Sequence, residues 1–161
     1  MTPTLDRRVL RILDANFNRS REGLRVCEEV FRFLAEDPAL ARRLKKTRHG
    51  VTRVMKSLPV AYSVFLDARD VRGDSGKAPS RLEKKRRGVA DLFYANIERV
   101  KESLRALEEF SKLADPRATD RFKKLRFEVY EIEKRAVPRL EDLRDNGQRR
   151  PAKKNTRRSR A

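Results

Sequence analysis

The stretch Ala15-Asn16-Phe17-Asn18-Arg19-Ser20-Arg21-Glu22-Gly23-Leu24-Arg25-Val26-Cys27-Glu28-Glu29 is written twice in this chain. It returns eighty residues later as Ala95-Asn96-Ile97-Glu98-Arg99-Val100-Lys101-Glu102-Ser103-Leu104-Arg105-Ala106-Leu107-Glu108-Glu109, with eight of fifteen positions identical. A second match follows at a spacing of seventy-eight: Asp37-Pro38, Arg43, Lys45, Lys46, Arg48 and Val51 recur as Asp115-Pro116, Arg121, Lys123, Lys124, Arg126 and Val129. Self-similarity of this length predicts two copies of one supersecondary unit. Each copy reads as a helical hairpin.

Around the first copy, Leu13, Phe17, Leu24, Cys27, Phe31 and Leu34 fall at three- and four-residue steps, the period of one helix face. Val26, Val30 and Phe33 make a second apolar strip, so the helix is expected to pack on two sides. Thr4 is placed to cap it, and it should run from Leu5 to Ala35. Asp37-Pro38 is a strong second start, because Asp accepts the free amides and Pro at the first helical position loses no bond. That helix should reach Ser57, while Val60 to Leu66 is apolar and unassigned. After a loop from Asp67 to Ser80, a third helix is expected from Ser80 or Arg81 to Ala114, and a fourth from Asp115-Pro116 to near Pro138. The expectation is an all-α fold: a duplicated helical hairpin, four long helices in an antiparallel bundle with pseudo-twofold symmetry. Residues 1–142 form that domain, with repeats at 5–57 and 81–137. Residues 143–161 form a disordered basic tail.

The repeated positions are mostly polar. With Asn16 set at zero on a wheel of about 100° per residue, Arg19 falls at about 300°, Glu22 at about 240°, Glu29 at about 220° and Arg25 at about 180°. Glu22 with Arg25, and Arg25 with Glu29, stand at ion-pair spacing. Asn96, Arg99, Glu102, Arg105 and Glu109 repeat the ribbon. A merely solvated face tolerates Lys for Arg, so identity between diverged copies implies that geometry matters. Two explanations stay open: buried Arg–Glu networks joining the halves, or an anion pocket in which Arg forks hold phosphate and Asn reads a ring edge. The loop Ala68-Arg69-Asp70-Val71-Arg72-Gly73-Asp74-Ser75-Gly76 has the carboxylates and glycines that suit a phosphate with Mg²⁺, though it is not a Walker loop.

Composition supports long solvated helices: 38% hydrophobic, 41% charged, no Trp and only six Gly. The net charge is +18, and the seven Lys and Arg from Arg149 onward account for much of it. About +11 remains on the rest, which favours anionic ligands. Cys27 is the lone cysteine, so no disulfide framework or cysteine-rich metal site is expected, and its place on the apolar face suits core packing. His49, the one histidine, reads as incidental. No signal-peptide core and no membrane-length apolar run is seen, so a cytoplasmic location is expected.

Asp14-Ala15-Asn16-x-Asn18-Arg19-x-Arg21-Glu22-Gly23-Leu24-Arg25-Val26-x-Glu28 resembles the opening motif of an all-helical domain often fused ahead of thiamine-phosphate synthase. Arg69-Asp70 with Gly73-Asp74-x-Gly76 is similar to its central loop. Asn96-x-x-Arg99-Val100-x-Glu102-x-Leu104-Arg105-x-Leu107-Glu108-Glu109 is similar to its third motif, and Leu125-Arg126-x-x-x-Tyr130-x-x-Glu133 to its last. On this resemblance, covering roughly residues 9 to 135, the chain is identified as a member of the monofunctional hydroxymethylpyrimidine-phosphate kinases of thiamine biosynthesis. The resemblance implies transfer of the ATP γ-phosphoryl group to 4-amino-5-hydroxymethyl-2-methylpyrimidine phosphate, with Mg²⁺, and no thiamine-phosphate synthase activity. It implies catalytic roles for Asp70, Asp74 and Arg69. It places substrate and nucleotide at Asn16, Arg19, Glu22, Arg25, Arg48, Asn96, Arg99, Glu102, Arg105 and Arg126, and Mg²⁺ at Asp70, Asp74 and Glu22. Phosphoryl transfer between anions is mostly positioning and charge stabilisation, which these residue types suit.

The competing expectations are a basic helical nucleic-acid-binding protein, RNA- or ribosome-associated, and a non-catalytic helical scaffold. Under the kinase reading the tail still offers a weak nucleic-acid contact, no membrane is involved, and a homodimer is an open alternative.

Overall fold

Asp6 starts the first helix, its side chain accepting a hydrogen bond from the Arg8 amide. The cap is therefore Asp6; Thr4, the expected cap, lies outside the described residues. The structure, a computed structural model, describes residues 5–70, 73 and 86–148, with side chains to Leu143. Among the described residues the fold is all-helical, with five α-helices: α1 Arg7–Glu29, α2 Pro38–Lys56, α3 Tyr62–Ala68, α4 Val89–Phe110 and α5 Pro116–Gln148.

The end of α1 widens into a π-helical turn, Val30–Leu34, which accounts for two sequence positions that project differently from expectation. Phe33 and Leu34, both assigned to apolar strips, are exposed. A π turn holds more residues per turn than 3.6, so the apolar register past Val30 no longer points where an α-helix would send it. The reversal that follows passes through Glu36 at φ 49°, a left-handed conformation rare for a residue with a Cβ. Asp37 then caps α2 as its sequence predicts, accepting from the amides of Ala39 and Leu40.

The unassigned Val60–Leu66 segment contains the start of α3, which lies on α1 and buries Phe65 and Ala68. The expected start of the third helix at Ser80 or Arg81 lies outside the described residues; the described helix begins at Val89, with Gly88 before it. Asp115 opens α5 by accepting from the Arg117 amide. This helix does not stop at Pro138 but continues to Gln148, so residues 143–148, expected in the tail, are its last part. Proline removes one backbone donor, yet Ile132, Ala136 and Leu140 remain buried at four-residue steps across it. Residues 149–161 lie outside the described residues.

Helix α1 packs most extensively on α4, each hairpin partner follows (α4 on α5, α1 on α2), and α2 also lies on α5. Direction follows from the contacts. Gly23 meets Asn96 and Val100 while Cys27 and Phe31 meet Phe93, so α1 and α4 run oppositely. Arg43 meets Glu128 and Ser57 meets Arg121, so α2 and α5 do too. The core lies between these pairs, where Leu13, Leu24, Phe31, Leu44, Phe93 and Phe122 are fully buried.

Candidate functional site

The polar motif residues fold inward at a position the wheel did not single out. Glu28 is 3% exposed and is held from both helices of its hairpin. Its Oε2 accepts from Arg48 Nε at 3.0 Å, and its Oε1 from Arg25 at 3.4 Å. Arg25 also reaches Glu29 at 2.6 Å. In the second copy Glu108, 4% exposed, accepts from Arg126 Nε at 2.9 Å and Arg105 at 2.8 Å, and Arg105 pairs with Glu109 at 2.7 Å. The hydrogen bond to Glu108, with a further one to the Tyr130 hydroxyl, raises the Arg126 pKa. Each hairpin thus carries the same carboxylate held between two arginines. A buried carboxylate stripped of its partner is costly, which explains why Glu and Arg persist at these places in both copies.

The ribbon residues accordingly divide. Arg25, Arg48, Arg105 and Arg126, expected among the substrate and nucleotide contacts, pair with Glu28 and Glu108. Asn16 and Asn96 donate to their own helices, to the carbonyls of Ile12 at 2.9 Å and Leu92 at 2.8 Å. Glu22, Arg99 and Glu102 are exposed. Asn16 and Arg19 do come together, with Arg8, Arg11 and Ile12, in a cationic hollow of about 330 Å³ on the outer side of α1.

Arg69, expected to be catalytic, clasps Asp14 of α1 through two hydrogen bonds of 2.7 and 2.8 Å. Those bonds raise its pKa, and Asp14 is 4% exposed. The pair fastens the end of α3 to the bundle. Asp70 is exposed; its Oδ1 accepts from the Gly73 amide and its Oδ2 lies 3.8 Å from Arg11. Asp74 lies outside the described residues. Glu22 sits on α1, and among the described residues no three His, Cys, Asp or Glu side chains gather as a metal site. The Mg²⁺ set expected of Asp70, Asp74 and Glu22 thus lies partly outside the described residues.

A larger cavity, about 540 Å³, opens between α1, α2 and α3. Phe17, Met55, Val60 and Tyr62 supply apolar walls, and Arg21, Thr52 and Lys56 supply polar groups. The Arg21 guanidinium lies over the Phe17 ring at 5.1 Å, and its Nε is buried without a hydrogen-bond acceptor among the described residues. Such an unmet donor costs about 1–3 kcal/mol, and the Arg21 side chain also lines the cavity. Sequence reasoning did not select this cavity, since its walls come from three helices; Arg21 beside Phe17 was the one local signal.

A family model described as the ThiD2 family matches residues 11–135. The chain belongs to the ThiD2 family. It is 40% identical over 126 residues to a thiamine-phosphate synthase of Synechocystis sp., a match covering 78% of this chain and 35% of that protein. It is 37% identical over 133 residues to the enzyme of the same name from Rhodopirellula baltica, covering 81% and 34%. A Prochlorococcus marinus thiamine-phosphate synthase is 31% identical over 134 residues, covering 83% and 37%. This ThiD2-family chain thus spans about a third of the length of those relatives. No solved structure matches it.

These matches correct the activity implied by resemblance. The relatives, at 31–41% identity, are named thiamine-phosphate synthases, not monofunctional hydroxymethylpyrimidine-phosphate kinases. A kinase with ATP as co-substrate has no support in them, and the exclusion of synthase activity is withdrawn. Nucleic-acid binding gains nothing from the comparisons either. No helix among the described residues is long and apolar enough to cross a membrane.

Proposed function

We propose that this chain serves thiamine biosynthesis by binding a phosphorylated pyrimidine, the ring-bearing half from which thiamine phosphate is built. Kinship with thiamine-phosphate synthases supports the pathway. One observation supports the ligand: the first repeat offers ring-sized, cationic space beside α1, whereas the matching place beside α4 is taken up by Lys101 bonded to Glu98 and Glu133. The hollow at Arg8, Arg11, Asn16 and Arg19 adds positive potential on the same helix, which draws an anion toward the protein. Mg²⁺ enters only as counter-ion of the phosphorylated ligand, and a cytoplasmic setting belongs to the same reading. The two hairpins are read as a pseudo-twofold duplication in which one half kept the ligand space.

Calorimetric titration with 4-amino-5-hydroxymethyl-2-methylpyrimidine phosphate tests this, with the unphosphorylated alcohol as control. One ligand per chain is expected, with the alcohol at least about tenfold weaker, the value of one charge-assisted contact. No binding, or equal binding of ester and alcohol, overturns the proposal.

A further inference from the structure

The register of the repeat makes the two halves each other's control. Arg21 corresponds to Lys101, Thr52 to Tyr130 and Met55 to Glu133. In the second half Lys101 Nζ donates to Glu133 at 2.8 and 2.9 Å and to Glu98 at 2.6 Å, with the Tyr130 ring 5.8 Å away. Burial disfavours that ammonium, but the hydrogen bonds to Glu133 and Glu98 outweigh it and raise its pKa. The second half therefore satisfies its cation internally. In the first half the carboxylate is replaced by the thioether of Met55, and Arg21 Nε is left buried with no acceptor among the described residues.

Around Arg21 the chemistry is that of a ring-and-phosphate site. Lys56 supplies a second cation, and Phe17, Met55 and Tyr62 supply flat or deformable apolar surface. Thr52 Oγ1 donates to the Arg48 carbonyl at 3.2 Å, which leaves the oxygen's lone pairs as acceptors for a ring amino group. A volume of about 540 Å³ is in the range of small-molecule sites.

We infer that the cavity between α1, α2 and α3 is the binding site for the phosphorylated pyrimidine. Arg21 and Lys56 meet the phosphate, and Phe17, Met55 and Tyr62 hold the ring. This rests on the function proposed above and adds the site and its residues. It also assigns binding to one repeat, with Glu133 as the built-in occupant that closes the other.

The test uses the full chain and 4-amino-5-hydroxymethyl-2-methylpyrimidine phosphate. Arg21→Gln removes the clamp, and Met55→Glu copies the second repeat by offering Arg21 a resident carboxylate. Both are expected to weaken binding about tenfold or more. Lys56→Gln, at an exposed position that folding tolerates, should weaken it by a smaller factor, on the order of threefold. Lys124→Gln, exposed on α5, should bind as the parent does. Thermal melting checks each variant's fold. If the parent chain binds and folded Arg21→Gln, Met55→Glu and Lys56→Gln bind equally well, the site is wrong while the function stands. If the parent chain does not bind, the functional reading has failed.

Discussion

Glu28 and Glu108 show how a single side chain sets the roles of those around it. Each is buried between an exposed arginine on its own helix and a largely buried one on the next: Arg48 is 14% exposed and Arg126 13%, while Arg25 and Arg105 are about half exposed. Glu28→Ala or Glu108→Ala leaves a buried guanidinium unpaired and should cost about 3–5 kcal/mol. Arg25→Ala or Arg105→Ala loses a water-exposed pair and should cost less than about 1 kcal/mol. Urea denaturation of the four variants separates these classes; equal losses would contradict the arrangement. At this scale the residue types were legible in the repeat, but the division of labour was not. Glu28 lies on α1 and Arg48 on α2, twenty residues apart, so no local period joins them.

Between helices, the α1–α4 contact depends on a missing side chain. A Cβ at Gly23 would stand 2.7 Å from Val100 Cγ2 and 3.0 Å from the Asn96 carbonyl oxygen. The latter is backbone and yields only if the helices separate. Alanine gains about 1 kcal/mol in helix propensity, but forced movement in a packed core costs about 1–3 kcal/mol. Gly23→Ala should therefore lower stability by about 1 kcal/mol net. Gly50→Ala, facing mainly the flexible end of Leu125, should be neutral to stabilising by thermal melting. Helix periods and the Asp-Pro starts were readable along the chain because caps and amphipathic spacing are local. The π turn after Glu29 and the passage of α5 through Pro138 were not, because tertiary burial of Phe31 and Leu140 decides both.

For the whole molecule, the buried Cys27 reports on integrity of the central pairing. Its thiol lies between α1 and α4, donates to the Phe93 carbonyl at 3.8 Å, and is pushed by burial well above the ordinary thiol range. Thiolate is the reactive form, so native protein should resist a thiol-specific reagent. Labelling should proceed at the rate of global unfolding across a denaturant series. Fast labelling without denaturant would mean that the α1–α4 interface opens on its own.

The chain's own order of residues determined the helical class, the internal sequence repeat and the resemblance to a domain found ahead of thiamine-phosphate synthases. Periodicity, caps and motif identity are carried by neighbours in sequence, so they can be read without coordinates. Tertiary structure alone decided which polar residues are structural and which face open space. Carboxylates from one helix capture arginines of another, and the Lys101–Glu133 pair of the second half has as its first-half counterpart Arg21 beside Met55. Those outcomes depend on distances across helices, which residue types and spacings do not encode locally.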